Sequence, residues 1–358
     1  MLSQYKVIGL MSGSSLDGLD IAYCIFEKRN DAWSYSIKVT DCVRYSQQWI
    51  EKLRSARQLD GKSLWQLHAD YGHLLAESVN EFISDFNLAG RVDLIASHGH
   101  TVFHFPELHF TTQIGDGAAL STGTGIAVAC DFRSSDVALG GHGAPIVPIG
   151  DMLLFSEYNY LLNLGGIANI SVKQDGKIIA YDICAANQVL NYYAVLKGQE
   201  YDKDGAMAAA AKLHQPLLDA LEGLDFYQKP SPKSLDNGFS SDVVIPVIER
   251  FVISLEDKLH TYCEHIAKQI AAEMAKSDAP KTGELFMTGG GALNKYLTGR
   301  IAAHSPLAVH VPSEEVVQYK EALVIAFIGL LRWLNQPNVL SPVTGASRNS
   351  IGGAVYLP

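Results

Sequence analysis

The sequence predicts an α/β protein made of two related domains, and three observations lead to this prediction. The chain has 358 residues, which is more than a single hydrophobic core usually serves. Segments with strand-like and helix-like patterns alternate along it. A strand–glycine loop–strand unit at residues 7–26 also has a counterpart at residues 160–183. This recurrence is typical of two related domains that face each other across a cleft.

Each predicted element depends on a local pattern. The apolar residues 7–10 and 19–26 predict two strands on either side of the first glycine loop. Apolar side chains recur at helical spacing in residues 64–82. The apolar run 322–334 predicts a buried helix, because it is too short to span a bilayer and Arg332 interrupts it. Further strands are predicted within residues 92–100, 126–133, 160–172, 177–183 and 284–288, and helices from about residues 187, 204 and 245.

Composition and charge restrict the partners. The formal net charge is −10, whereas nucleic acids and anionic membranes bind basic surfaces, so the charge argues against both. The five cysteines are scattered and odd in number, which favours free thiols in a reducing compartment over a disulfide or zinc framework. The first residues lack the pattern of a signal peptide. We therefore expect a cytoplasmic protein with a small-molecule partner, and neither nucleic acid nor membrane.

Three glycine-rich loops follow apolar strands: "MSGSSLDG" (11–18), "NLGGIAN" (163–169) and "MTGGGALN" (287–294). Glycine lets backbone N–H groups converge on a phosphate, and open α/β sheets bind ligands at such strand ends. The first loop has the spacing of a Walker A motif, but Leu19 stands where the lysine belongs and a strand follows. One such loop is equally well a tight hairpin, whereas three together favour a nucleotide site.

Eight motifs occur in order along the chain and read "GLMSGSSLDGLDIA", "SHGHTVFH", "QIGDG", "DFRSSDVALGGHGAP", "LNLGGIANIS", "YDKDG", "PKS" and "SPVTGA". Through these motifs the chain resembles the anhydro-N-acetylmuramic acid kinase family, within the actin, hexokinase and Hsp70 ATPase superfamily, over residues 7–353.

The resemblance implies two actin-like (ribonuclease H-like) domains with a nucleotide and sugar cleft between them. A concentration of glycine and proline at residues 140–150 places a boundary nearby. Because the last segment commonly returns to the first domain in this superfamily, we expect one domain of residues 1–135 plus 338–358 and another of residues 136–337. The resemblance also implies a homodimer.

The family opens a 1,6-anhydro sugar with water while ATP phosphorylates O6, which implies ATP and Mg²⁺ as cofactors. Asp17 and Asp20 would hold Mg²⁺ through hard oxygen ligands, although Asp20 could instead be a strand residue that faces solvent. Asp182 matches the family's catalytic carboxylate, the base for the water; a helix N-cap is the alternative for this residue. The implied nucleotide contacts are Gly13, Ser14, Ser15, Leu16, Asp17, Gly18, Leu19, Asp20, Gly165, Gly166, Gly289, Gly290, Gly291 and Asn294.

The resemblance further implies contacts to the sugar. Arg133 suits the lactyl carboxylate of a muramic acid, but a structural pair with Asp131 or Asp136 is equally simple. Glu321 could face the cleft or be a favourable acid in a first helical turn. The histidines of "SHGHTVFHFPELH" alternate as on a strand, which argues against a metal site. The implied sugar-binding residues are His98, Thr101, Gln113, Asp116, Arg133, Asp136, Asn169 and Glu321.

The sequence departs from the family pattern after Asp182. Many members have Thr-Gly-Pro-Gly-Asn there, whereas this chain has Ile183, Cys184, Ala185, Ala186 and Asn187. Positive φ angles are costly for these residues, so we expect the backbone to run differently. This departure leaves two other functions open: a kinase for another anhydro sugar such as levoglucosan, and a non-catalytic ATP-binding switch.

Overall fold

The computed structural model describes residues 3–13, 16–236 and 238–358. The chain divides into two compact units, residues 1–155 with 319–358 and residues 156–318. The boundaries therefore lie at 155/156 and 318/319 and not at the expected 135/136 and 337/338. Each unit has its own sheet and its own hydrophobic core.

The strands are β1 (Ser3–Ser12), β2 (Gly18–Arg29), β3 (Ala32–Arg44), β4 (Leu94–Ser97), β5 (His100–Phe105), β6 (Phe110–Ile114), β7 (Val128–Cys130), β8 (Tyr160–Leu164), β9 (Ile167–Gln174), β10 (Lys177–Ala185), β11 (Glu284–Thr288), β12 (Ala308–His310) and β13 (Ala354–Tyr356). The α-helices are α1 (Gln47–Ser55), α2 (Gly61–Asp85), α3 (Gly117–Thr124), α4 (Ser134–Ala138), α5 (Pro148–Leu153), α6 (Asn187–Val195), α7 (Ala206–Ala209), α8 (Gln215–Glu222), α9 (Asp225–Gln228), α10 (Ile245–Glu249), α11 (Leu255–Lys276), α12 (Lys295–His304), α13 (Glu314–Trp333) and α14 (Ser341–Thr344).

The sheet of the first unit has the strand order β13-β7-β4-β1-β2-β3. Strands β1, β2 and β3 are antiparallel neighbours, whereas β1, β4 and β7 run parallel. The C-terminal segment belongs to this unit, because β13 pairs antiparallel with β7. A separate two-stranded sheet pairs β5 with β6.

The sheet of the second unit repeats this arrangement in the order β10-β9-β8-β11-β12. Its first three strands are antiparallel neighbours, and β8, β11 and β12 run parallel. In both units, therefore, three consecutive strands form an antiparallel meander. Two further strands lie beside the first strand of the meander and run parallel to it. The prediction of two α/β, ribonuclease H-like domains is confirmed.

Helix α2 has both an apolar face and an N-terminal cap. Asp60 caps α2 by accepting from the backbone N–H of Ser63, and the apolar positions of this helix line the core. The predicted helix at residues 322–334 lies within α13, where residues 322–331 are buried. Within the described part of the chain, no helix is long and apolar enough to cross a membrane.

The altered segment after Asp182 continues the strand instead of turning away. Residues 183–185 complete β10, and a register shift between Asp182 and Cys184 accommodates the extra residue Ile183. The side chains of residues 183–186 are buried in the core of the second unit. The helix N-cap alternative for Asp182 is wrong, because the cap position of α6 is Ala186.

A buried histidine makes the stability sensitive to acid. The ring of His265 on α11 is fully buried against Tyr227 and Tyr262, and its two nitrogens have no hydrogen-bond partner among the described residues. Burial lowers the pKa of His265 to about 3. Between pH 6.5 and about 3 the unfolded chain therefore binds a proton that the folded chain does not. The free energy of unfolding should decrease as the pH falls through this range, by about 1.4 kcal/mol per pH unit for this group.

The change that tests this is His265→Phe, which retains the ring contacts and removes the titration. Urea unfolding between pH 7 and pH 4.5 should show a smaller loss of stability in this variant than in the unchanged chain. A substitution of the exposed His109 serves as the control. Equal pH dependence in all three proteins would contradict the assignment.

Candidate active site

The first glycine loop joins β1 to β2 and brings a carboxylate to the end of the sheet. Asp20 is half-buried on β2, directly opposite Met11 of β1 and Cys42 of β3. Leu16 has a φ of 61°, and a Cβ at Gly18 would lie 2.7 Å from the carbonyl oxygen of Val43. The loop therefore needs glycine at position 18 for strand packing. The predicted phosphate contacts Ser14 and Ser15 lie outside the described residues.

Arg133 is held in place by a neutral histidine. Its Nε donates to Nε2 of His98 at 2.9 Å, and its Nη1 donates to the carbonyl of Gly143 at 2.9 Å. Burial and the positive charge of Arg133 lower the pKa of His98 to about 3, so the ring is neutral and Nδ1–H can donate to the carbonyl of Gly99 at 3.0 Å. This histidine thereby orients the guanidinium.

Glu321, Arg133 and Asp20 are electrostatically coupled. Desolvation lowers the pKa of Arg133 to about 10, and the Glu321 carboxylate opposes this shift. Glu321 keeps solvent access, but surrounding protein atoms desolvate its carboxylate and raise its pKa, with Asp20 adding to the rise. Burial also raises the pKa of Asp20, and the charge of Asp17 contributes to it. The arrangement combines one guanidinium with carboxylates whose negative charges repel one another.

Two of the predicted sugar-binding acids have hydrogen-bond partners within the protein. Asp136 is fully buried, and its two carboxylate oxygens accept from the backbone N–H of Gly143 at 2.8 Å and from the hydroxyl of Thr344 at 2.8 Å. Asp116 caps α3 through a 2.9 Å bond from the N–H of Ala118. The geometry thus gives Asp136 and Asp116 roles in holding backbone.

The β5–β6 hairpin contains two further residues that are predicted to bind the sugar. Thr101 and Gln113 are half-buried cross-strand partners, and Nε2 of Gln113 donates to Thr111 at 2.8 Å. The Oε1 atom of Gln113 is buried without a hydrogen-bond partner among the described residues. An unsatisfied acceptor of this kind is costly, so Gln113 is suited to receive a hydroxyl of a ligand.

The histidines of this hairpin region have partners within the protein. His100 lies 3.3 Å from the hydroxyl of Ser12, which also accepts from Tyr45 at 2.8 Å. His104 bonds to Thr111 at 3.1 Å. Across residues 3–13, 16–236 and 238–358 there is no group of three or more histidine, cysteine, aspartate or glutamate residues placed to hold a metal ion.

In the second unit, four polar residues form one row across the sheet. Thr288 of β11 is paired with Asn163 of β8, Asn163 with Asn169 of β9, and Asn169 with Asp182 of β10. Directly paired residues project from the same face of a sheet, with Cβ atoms about 5 Å apart. The neighbours Met287, Leu162, Ile170 and Tyr181 project from the opposite face into the core. We refer to Thr288, Asn163, Asn169 and Asp182 as the polar row.

Asp182 is fixed through one of its oxygens. Its Oδ2 accepts from the backbone N–H of Leu235 at 2.9 Å and from the hydroxyl of Ser234 at 3.2 Å. Its Oδ1 has no hydrogen bond to any described residue, and the side chain is half-buried. One oxygen is therefore oriented by the segment that contains Ser234 and Leu235, and the other accepts from none of the described residues.

The two glycine loops of the second unit lie beside this row. The carbonyl of Gly165 accepts from the backbone N–H of Asn187, and that of Gly166 accepts from the N–H of Ala186, at the start of α6. Gly289 has a φ of 82°, and a Cβ there would lie 2.6 Å from Oδ1 of Asn163. Gly290 has open space around it. Asn294 caps α12 by accepting from Leu297 at 3.0 Å, which is a structural role for this predicted nucleotide contact.

Sequence reasoning missed several residues that complete the geometry around Asp182. Ser234, Lys233 and Glu273 were not identified, although the motif "PKS" contains the first two. Thr288 was also missed, and its buried hydroxyl has no partner in the described part of the chain. The cross-strand register that aligns Thr288 with the polar row is not readable from local pattern.

The repeated ribonuclease H-like sheets, with glycine loops at their strand ends, define the class of actin-like phosphotransferases and ATPases. The family model described as anhydro-N-acetylmuramic acid kinase matches residues 5–358, and the chain belongs to that family. An anhydro-N-acetylmuramic acid kinase of Aliivibrio fischeri is 34% identical over 365 residues, covering 98% of this chain and 99% of that protein. One of Vibrio cholerae is 33% identical over 375 residues, covering 100% of both.

Among solved structures, component A of (R)-2-hydroxyglutaryl-CoA dehydratase from Acidaminococcus fermentans is similar with a TM-score of 0.44 and 12% sequence identity. The alignment covers 91% of this chain and 97% of the component A chain.

Proposed function

We propose that this chain is an ATP-dependent kinase that opens 1,6-anhydro-N-acetylmuramic acid and phosphorylates O6, in cell-wall recycling. A water oxygen bonds to C1, the C1–O6 bond breaks, and the water proton passes to Asp182. O6 bonds to the γ-phosphorus of ATP as the bond to ADP breaks. The products are N-acetylmuramic acid 6-phosphate and ADP.

The observation that carries this proposal is the carboxylate of Asp182. A general base must be oriented and must also keep an acceptor free for the proton it takes. Leu235 and Ser234 orient Oδ2, and Oδ1 accepts from no residue in the part of the chain that the structure describes. Asn169 is paired directly with Asp182 and supplies an amide that can bind the sugar or the attacking water.

The glycine loops suit the phosphates of ATP. Gly290 has open space, and Gly165 and Gly166 retain solvent access, so these positions let a phosphate approach the backbone. The residues also fit Mg²⁺, because Asp17 and Asp20 are hard oxygen donors and Mg²⁺ usually binds one or two carboxylates together with phosphates and water. When bound there, Mg²⁺ would neutralise charge on the phosphates.

We assign Arg133 to the lactyl carboxylate of the sugar. Two donors of its guanidinium are occupied by His98 and Gly143, which fixes the plane of the group. The remaining nitrogen, Nη2, has no hydrogen bond to any described residue, so it can bind a carboxylate.

Replacing Arg133 by Met should raise the KM for the muramic sugar about tenfold to a hundredfold, because a charge-assisted hydrogen bond is lost. The KM for ATP should stay within a factor of about two. The control substrate is the corresponding anhydro sugar without the lactyl group. Its turnover should be little affected by the substitution, and an equal loss for both sugars would contradict the assignment.

No observation favours a kinase for another anhydro sugar or a non-catalytic ATP-binding switch. The departure that suggested a different sugar, residues 183–186, contributes buried side chains to the core and none to the polar row. A pure ATP-binding switch does not require an oriented carboxylate in that row.

The experiment that tests the proposal measures ADP released from Mg-ATP with and without 1,6-anhydro-N-acetylmuramic acid, and the mass of the sugar product. Sugar-dependent ADP and a product heavier by one water and one phosphoryl group would support the proposal. Activity with levoglucosan but not with the muramic sugar would show that the chain is a kinase for another anhydro sugar. ATP binding without turnover of any sugar would favour the non-catalytic ATP-binding switch.

We also propose that the protein is a cytoplasmic homodimer. The family resemblance supports the dimer, and the five free cysteines are in keeping with a reducing compartment. Sedimentation velocity over a range of concentrations tests the assembly.

A further inference from the structure

The segment 231–235 lies along the outer edge of β10, the last strand of its sheet. The backbone N–H of Asp182 donates to the carbonyl of Lys233 at 2.9 Å. Leu235 and Ser234 donate to the Asp182 carboxylate. The main chain and the side chain of Asp182 are thus both fixed by this one segment.

The same segment is anchored on the other face of the sheet. Nζ of Lys233 lies 2.9 Å from Oε1 of Glu273 on α11, and their side chains are 4% and 1% exposed. Ser231 donates to Oε2 of the same glutamate, and Nζ of Lys233 lies 4.9 Å from the ring centre of Phe226. Glu273 is therefore paired at both oxygens with residues of the segment.

The alternation of β10 explains how one segment contacts both faces. Tyr181 projects to the side of α11, where burial and the charge of Glu273 raise its pKa to about 12. Asp182, the next residue, projects to the opposite side. Residues 231–235 cross between these two environments at the sheet edge.

We propose that the buried Lys233–Glu273 pair is a positioning device for Asp182, which acts by fixing the segment that binds its carboxylate. This inference rests on the proposed function, in which Asp182 is the base. A buried ion pair is weak evidence for stability, because desolvation offsets much of the attraction between its charges. Its geometry is well defined, however, and misplacement of a catalytic group by about 1 Å can cost about a hundredfold in rate.

The test compares two matched substitutions of buried lysines in the second unit. Lys233→Met removes the proposed device and leaves Glu273 paired with Lys276 at 2.9 Å. Lys258→Met is the control, because Lys258 is also buried, lies 2.9 Å from Glu249 and stands 5.4 Å from the Tyr193 ring centre. Both variants remove the ion pair of a buried lysine, although Glu249 is 47% exposed whereas Glu273 is 1% exposed. Only Lys233 belongs to the segment 231–235.

We expect Lys233→Met to lower kcat about tenfold or more, with the KM values for ATP and sugar unchanged within about a factor of two. Lys258→Met should retain kcat at a temperature where circular dichroism shows both variants folded. Unchanged kcat in Lys233→Met, or equal losses in both variants, would overturn the inference.

If Lys233→Met does not fold, Glu273→Gln decides, because glutamine keeps the size of the side chain and an acceptor for Ser231 while it removes the charge that pairs with Lys233. A lower kcat with unchanged KM would then support the inference, and unchanged kcat would overturn it. Asp182→Asn separates the two proposals. Full turnover in that variant would remove the proposed function, whereas loss of turnover there with unchanged kcat in Lys233→Met would remove this inference alone.

Discussion

Replacing Asp182 by Asn should lower kcat about a thousandfold, which is within the range for loss of a general base. Asparagine has the same size, and its amide oxygen can accept the hydrogen bonds that Leu235 and Ser234 donate to Oδ2. The group remains in place but no longer takes a proton from water at neutral pH. The affinity for ATP, measured by calorimetry without sugar, should remain close to that of the unchanged chain.

The control for this substitution is Asp175→Asn in the turn between β9 and β10. Asp175 is exposed, and its φ of 52° suits asparagine equally well. This variant should keep full turnover, since it changes the same functional group on the same hairpin away from the polar row. Substantial sugar-dependent ADP release by the Asp182→Asn variant would show that another group activates the water.

Replacing Gly289 by Ala should destabilise the second unit by about 2–4 kcal/mol and raise the KM for ATP about tenfold. The φ of 82° with a ψ of 160° is a backbone conformation that essentially only glycine adopts. The added Cβ would also lie 2.6 Å from Oδ1 of Asn163 and 2.8 Å from the backbone of Leu164. The steric conflict therefore displaces the polar row and the adjacent glycine loop together.

Gly290→Ala is the matched control, one residue further along the same loop. A Cβ at that position meets nothing within 4 Å, and the residue has no positive φ. Its midpoint of urea unfolding should be nearly unchanged, whereas that of Gly289→Ala should fall. Similar midpoints in the two variants would show that the loop absorbs the added methyl group.

Much of the fold was predictable because it depends on local patterns. The helical spacing over residues 64–82 and the apolar run at 322–334 correspond to α2 and α13. The recurrence of a strand–glycine loop–strand unit anticipated two sheets of the same topology. The family resemblance, carried by ordered motifs, is confirmed by the match over residues 5–358.

The site was predictable only where a residue's type reflects its chemistry. Asp182 and Asn169 were identified individually, but their direct pairing depends on the register of β9 with β10. Asp136 shows the opposite case, because a buried acid with structural partners and a ligand-binding acid have the same sequence signature. The pairing of Lys233 with Glu273 spans 40 residues, and no local pattern reports such a contact.

The polar row makes the β9–β10 hairpin sensitive to insertions and deletions. Asp175 and Gly176 both have positive φ, as in the two-residue turns that lock a hairpin into one alignment. A slip of one residue along β10 would send Asp182 into the core and bring Tyr181 or Ile183 to the face that now carries the carboxylate. The length of this turn therefore determines which residue of β10 joins the polar row. We expect substitutions that keep the positive φ angles to be tolerated at positions 175 and 176. Insertions and deletions in this turn should not be tolerated.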